Sequence, residues 1–434
     1  DENGNPVCRS GNPNCVPWNI FQRTPDGETL VTDEAADFVT GDQIFTGQVD
    51  QIVFGGDIQT NLGRFGIQSP FADDAVGILF GGEFRQDELT STPDAASQNG
   101  DFGFPADQPI AGEVRVKEFF GETQIPLVND VPFIEQLAVG GAYRFSDYTV
   151  EDESFENTFD TDTYHVFINW SPVESVRLRG QFQRAVRAPN VIELFRNTGT
   201  EDPQLSTGPN GLADPCAGDF DPNTSTPEPR ATFEQCAATG VTAEQFGNVG
   251  DVISNQTTGI TGGNPNLLPE ESDTWTFGGV FTPEFAPGLS VSVDWFNVEV
   301  DDAIEAGIPA QTILDNCIAT QDPTFCNLIN RNPDGSLQGG PAGVGFLQTN
   351  LNIATLETTG IDFQVVYELD LWDVGLEDFG SVRFDYASTY LDELKETPFP
   401  GADPIECAGK FVGECTIPNP EYRHRMLTTW QTPW

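Results

Sequence analysis

Along much of this chain, polar and apolar side chains alternate at every second position. From Glu174 to Arg187, Val176, Leu178, Gly180 and Phe182 fall on one side and Ser175, Arg177, Arg179, Gln181 and Gln183 on the other, as they do when an extended strand points successive side chains to opposite faces. Leu289 to Val300 sets Leu289, Val291, Val293 and Trp295 against Ser290, Ser292 and Asp294, and Ser381 to Glu393 sets Val382, Phe384 and Tyr386 against Arg383 and Asp385. Such stretches predict about eleven strands, near 43–59, 75–90, 113–126, 134–148, 159–170, 174–187, 269–284, 288–301, 345–370, 380–394 and 420–433. Most exceed the five or six residues usual in globular domains.

Alternation alone does not separate a soluble sandwich from a barrel in a membrane, because both have one oily and one wet face. The connections do. They alternate between short, as at Ser171 to Glu174 and Pro283 to Gly288, and long, as at 188–268 and 302–344. Short turns on one side and long loops on the other are the pattern of outer-membrane barrels, with turns in the periplasm and loops outside. The segments 1–42, 188–268, 302–344 and 395–419 are then extracellular. Trp170, Tyr143, Tyr164, Phe281, Trp295 and Tyr386 suit aromatic belts at the membrane boundaries, the alternative being core aromatics. Asp302 to Asn330 carries Ala303, Ile304, Ile308, Ile313 and Leu314 at helical spacing and predicts short helices over the outer mouth.

The eight cysteines form local couples, Cys8/Cys15, Cys216/Cys236, Cys317/Cys326 and Cys407/Cys415, each in one of those extracellular segments. Zinc is the rival reading, but no couple has a C-x2-C or C-x4-C spacing, and His165 and His424 are distant in sequence. Disulfides in an oxidising compartment fit better. Asp219, Asp221 and Asn223 imitate the opening of a calcium loop, yet Thr224 and Arg230 stand where Gly and Glu are needed.

The net charge of −49, from 68 acidic against 19 basic residues, would repel a nucleic-acid backbone. It fits either salt adaptation or acidic loops that gather cations. No run of apolar residues is long enough for a transmembrane helix. No G-x-S-x-G elbow, H-E-x-x-H pair, Walker loop or Rossmann glycine set occurs, and no cofactor is implied. A secreted acidic β-fold enzyme such as a glycoside hydrolase, needing only two carboxylates, is the alternative to a non-enzymatic barrel.

The stretch Arg184-Ala-Val-Arg187-Ala-Pro189-Asn190-Val-Ile-Glu193-Leu194-Phe195 resembles the segment with which TonB-dependent receptors leave an outward strand. After a long loop, Asn264-Pro265-Asn-Leu-Leu-Pro269-Glu270-Glu-Ser272 resembles the family's entry into the next inward strand. Val116 to Leu127, Leu289 to Ile304, Asn350 to Tyr367 with Asn352 and Gly360, and Tyr422-Arg-His-Arg425 extend the resemblance over nearly the whole chain. It implies an all-β antiparallel transmembrane barrel, about 11 of 22 strands, in the outer membrane of a Gram-negative bacterium. The resemblance further implies that the chain is a fragment: the plug domain that meets TonB, and the last strands, lie beyond it. It implies active import of a scarce nutrient (siderophore-iron, cobalamin or an oligosaccharide), with outer-membrane lipid, plug, TonB complex and a small-molecule or oligosaccharide ligand as partners. By alternation Arg144, Arg177, Arg179, Asp294, Arg383 and Asp385 face the lumen, to hold a plug through salt bridges or to line a path, while Arg187 and Glu193 are expected to clamp the loop exit at the outer rim.

Overall fold

The computed structural model describes residues 7–8, 15–17, 21, 23–28, 31–102, 106–219, 223, 225–339, 343–376, 378–411, 413, 415 and 417–434. The strands are β1 (Phe45–Asn61), β2 (Gly77–Pro93), β3 (Ile110–Val131), β4 (Ile134–Glu151), β5 (Glu156–Val173), β6 (Val176–Arg187), β7 (Gly199–Glu201), β8 (Gly259–Gly262), β9 (Glu270–Phe281), β10 (Leu289–Glu305), β11 (Ile329–Asn330), β12 (Gly345–Thr349), β13 (Leu351–Asp370), β14 (Ser381–Thr397), β15 (Ile405–Glu406) and β16 (Tyr422–Gln431). The helices are α1 (Asp33–Val39), α2 (Ala95–Asn99), α3 (Val191–Phe195), α4 (Phe233–Ala238), α5 (Ala310–Thr320) and α6 (Pro323–Cys326). Among the described residues no helix is long and apolar enough to cross a membrane, which says nothing of strands.

The chain divides into two compact units, residues 1–48 with 90–110 and residues 49–89 with 111–434. In the first, Thr32 caps α1 by accepting from the Ala35 amide. Asp94 caps α2 and also accepts from the Ile44 amide at 2.8 Å and from the Ser97 hydroxyl. Donation by the Ile44 amide, and next by Ser97, holds the Asp94 carboxyl down at about 2.

The second unit is built on the long strands, which follow one another in sheet order β1-β2-β3-β4-β5-β6-β9-β10-β13-β14, with β16 on β14. The described pairs among them are antiparallel. Because opposed residues share a face, the register sorts every side chain into two sets. One face carries Tyr143, Tyr164, Val166, Ile168, Trp170, Leu178, Trp275, Phe277, Phe281, Val293, Trp295, Ile361, Tyr390 and Trp430, all exposed to solvent although large and apolar. Uncovered apolar surface of this extent is a lipid face, not a core. On β5, β6, β9 and β10 its first charges are Asp162, Arg184, Asp273 and Glu299. Trp170 and Asp162 are eight residues apart, which at ~3.3 Å per residue and ~40° tilt covers about 20 Å, close to the ~25 Å apolar band of such barrels. At the turn end the Trp170 and Trp430 indoles donate to the carbonyls of Phe133 and Phe379, an arrangement suited to an interface where one edge is wet.

Two details depart from the sequence expectation. The outer connection between β4 and β5 is only residues 152–155, closed by Asp152 accepting from the Ser154 and Phe155 amides, whereas 62–76 on the turn side is long. The predicted strand 345–370 is two: β13 belongs to the wall, but β12 pairs in parallel with β8 in a separate sheet, β11-β12-β8-β7. The left-handed backbone at Gly345 (φ 121°) and the break at Asn350 redirect the chain, which alternation cannot register.

Candidate functional site

Above the outer ends of β6, β9, β10 and β13, the long loops are fastened by one hydrogen-bonded set. Pro189 ends β6, since it cannot donate to a ladder, and Asn190 begins α3 with a capping box: its side chain accepts from the Glu193 amide while Glu193 accepts from the Asn190 amide. The Arg187 guanidinium then grips Glu270 with two bonds of 2.6 and 2.7 Å and Glu193 at 3.0 Å. Glu270 also accepts from the Ile304 amide, tying in β10. Asn264 donates to the Asn350 carbonyl, Asn350 to the Glu193 carbonyl, and Asn352 to those of Leu268 and Asp302. Pro265 turns the chain and Pro269 precedes β9, while Leu194 is buried with Val150, Val191, Phe195 and Leu267. Arg184 lies apart, on the apolar face, bidentate to Asp273 at 2.7 and 2.8 Å.

Over this rim, residues from 188–268 and 302–344 fold into a single body. Leu205, Ala213 and Val252 share a core with Ile308, Ala310, Ile313, Leu314, Cys317, Phe325, Ile329, Leu337 and Phe346. Cys216 and Cys236 are joined, as are Cys317 and Cys326, Cys407 and Cys415, and Cys8 and Cys15. The two loops are also locked by an ion pair that sequence reasoning missed: Arg331 and Asp214, with side chains only 2% and 0% exposed, meet at 2.6 Å. Arg331 further donates to the Thr239 hydroxyl and the Gly335 carbonyl, and Asp214 accepts from the Cys216 amide. Phe399 of the 395–419 segment packs edge-on against Phe325, and beneath it lies a cavity of about 570 Å³ lined by Glu305, Ile308, Thr312, Glu396, Phe399 and Asp403. Asp221 and Thr224 lie outside the described residues, and among those described no three His, Cys, Asp or Glu side chains converge as metal ligands would.

Opposite the apolar face, the register brings Arg144, Arg177, Arg179, Asp294, Arg383 and Asp385 together on the polar face. Arg144 donates to Glu118 at 2.6 Å, which also accepts from Ser146, beside a cavity of about 630 Å³ that includes Tyr148 and His165. Arg383 pairs with Asp385 at 2.8 Å. Arg179 reaches across β9 to grip Asp294 through two bonds of 2.7 Å. Gly278 stands between them, and a Cβ there would collide with the Asp294 carboxylate. The absent side chain is the passage for the guanidinium.

The family model for the TonB dependent receptor-like β-barrel matches residues 16–434. The chain belongs to the TonB-dependent receptor family. This receptor segment is thus part of an outer-membrane β-barrel, and the family is one of receptors, not enzymes; the glycoside hydrolase alternative finds no support. Among solved structures it is similar to the siderophore receptor PirA from Acinetobacter baumannii (14% identity over 93% of this chain and 42% of that one, TM-score 0.47). It is also similar to the alcaligin receptor FauA from Bordetella pertussis (12%, 90% and 45%, TM-score 0.42) and the ferric enterobactin receptor PfeA from Pseudomonas aeruginosa (14%, 80% and 36%, TM-score 0.43). The chain spans less than half the length of each. No curated protein sequence matches it.

Proposed function

We propose that this chain forms wall and outer mouth of an active importer that takes up a scarce nutrient, of the siderophore-iron, cobalamin or oligosaccharide kind, energised by the TonB complex through a plug in the lumen. The observation that carries this reading is the pairing of a lipid-facing sheet with a disulfide-locked cap standing over its outer rim. A rigid scaffold that holds preformed loops outside the membrane is the arrangement in which recognition is made at low entropic cost. The ion pairs of the polar face, Arg144–Glu118, Arg179–Asp294 and Arg383–Asp385, offer a plug charged groups already oriented by their partners. Arg187, Glu193 and Glu270 serve as the structural clamp of the loop exit, since each of their charges is already answered within the set.

The test is depletion of nutrients from medium by cells that express the full-length gene, against cells lacking it and cells lacking TonB. Uptake that needs both supports the reading. Uptake that survives loss of TonB turns the protein into a passive pore and sinks it.

A further inference from the structure

Resting on the import reading above, we infer that the plug carries an acidic face, and that this face docks on Arg177, Arg423 and Arg425 near the turn end of the lumen. The register lays rows of polar-face residues across the six strands from β6 to β16. One row runs Arg177, Val280, Ser292, Gln364, Ala387, Arg425, and the next, nearer the outer mouth, runs Arg179, Gly278, Asp294, Asp362, Thr389, Arg423. Arg179 is held by Asp294, and Asp362 accepts from the Thr389 hydroxyl at 2.6 Å. Arg177, Arg423 and Arg425 are exposed and form no ion pair and no side-chain hydrogen bond among the described residues. Val280 stands opposite Arg177, Ala387 opposite Arg425 and Thr389 opposite Arg423, so the strand beside each offers no carboxylate. With four arginines against two aspartates, the two rows form a cationic band in a chain of net charge −49.

The shape of the band fits a body that fills the lumen. Five strand spacings of about 4.8 Å set Arg177 and Arg425 about 24 Å apart along the wall, farther than one small solute reaches but within a single domain surface. Arg423 and Arg425 stand two residues apart on one face of β16, about 7 Å, inside the ~8 Å over which physiological salt leaves charges unscreened. Each therefore disfavours the other until an anion sits between them. A cavity of about 460 Å³, lined by Arg179, Ser292, Asp294, Asp362, Arg423 and Arg425, gives a projecting carboxylate room to enter. The band also ends abruptly: the next two rows towards the mouth, from Gln181 to Leu391 and from Gln183 to Thr358, carry no charge. A path that hands an anionic solute inward would continue its cations along the way, whereas a docking contact needs them at one level. Paired guanidinium–carboxylate bonds at both ends of the band would fix the rotation of the plug as well as its depth.

The deciding experiment uses the full-length receptor in isolated outer membranes. Arg177→Lys, Arg423→Lys and Arg425→Lys each keep the charge and add an amine, which a water-soluble carbodiimide joins to a carboxylate in direct contact with it. Mass spectrometry then identifies the linked peptides. Links from position 177, and from 423 or 425, to Asp or Glu of the plug are expected. Links only to carboxylates of wall strands, links only to a bound anionic solute, or no links at all overturn the inference. The triple variant Arg177→Gln, Arg423→Gln, Arg425→Gln gives a second reading that needs no lysine. A protease added from the periplasmic side should cut its plug at lower urea than in the wild type, at equal heat resistance of the barrel, and equal urea dependence overturns the docking. Nutrient depletion by the same cells, with and without TonB, keeps the two readings apart. TonB-dependent uptake without the expected links leaves import standing, whereas a full-length receptor with no plug sinks both.

Discussion

Replacing Arg331 by Met removes the lock between the two long loops while keeping side-chain volume. The Asp214 carboxylate, 0% exposed, would then retain only the Cys216 amide and lose both guanidinium bonds. Leaving one half of a buried pair uncompensated costs about 3–5 kcal/mol, so the open form of the cap should become roughly a hundred- to several-thousand-fold more populated. Thr239 and Gly335 also lose a donor each, which places the expectation in the upper part of that range. Native-state proteolysis of outer-membrane vesicles across a urea series reads this directly, as cleavage within 196–262 at lower urea while the wall strands stay protected. Arg331→Met with Asp214→Leu removes both charges and should lie closer to wild type than either single change, because well-packed apolar groups replace buried ion pairs with little loss. A cost below about 1 kcal/mol for Arg331→Met, or a double variant as weak as the two losses added, would refute the idea that this pair holds the cap.

Other consequences follow from the same geometry. Cys216→Ser with Cys236→Ser opens a 20-residue link and should destabilise the cap by about 3 kcal/mol on the loop-entropy model, seen as earlier proteolysis within 196–262 at unchanged barrel heat resistance. Gly278→Ala should separate Arg179 from Asp294 and lower the yield of folded barrel, and Asp294→Ala in the same chain should restore part of that yield; heat-modifiable gel mobility measures both. Asp94, held at about 2 in the fold against an ordinary value of 3.8, contributes stability that is complete above about pH 4 and is lost as pH falls towards 2. Hydrogen exchange at the Ile44, Ala96 and Ser97 amides should therefore quicken over that window in the wild type and show no such step in Asp94→Asn.

The wall was legible because its physics is local and periodic. One residue in two must meet lipid, so Trp170, Trp295 and Tyr386 declare their face within a few positions, and the faces of Arg144, Arg179, Asp294 and Arg383 follow by parity. The cap was not legible, because its contacts join residues far apart in sequence without any repeating spacing. Leu205 packs with Ile313, and Asp214 with Arg331, more than a hundred residues away. The alternation of Gly345 to Thr349 is real but is spent on a small parallel sheet, and period two does not say which sheet a strand joins. Helix-like spacing at Ile308, Ile313 and Leu314 did signal α5 and α6. A hint of the missed pair was present too: Arg331 stands two residues after Ile329 and Asp214 two residues before Cys216, charged residues placed near groups bound for the interior.

Because the cap draws one half of its core from before the β9–β10 hairpin and the other from after it, it monitors an error to which alternation is blind. Slipping β10 by one residue against β9 would turn every side chain to the wrong face and expose charge to lipid. A slip of two residues leaves each face unchanged and offends nothing in the bilayer. It would still carry Ile308, Ile313 and Arg331 about 7 Å away from Leu205, Val252 and Asp214, and neither the shared core nor the buried ion pair could then form. The loops outside the membrane thus act as the vernier that sets the strands within it.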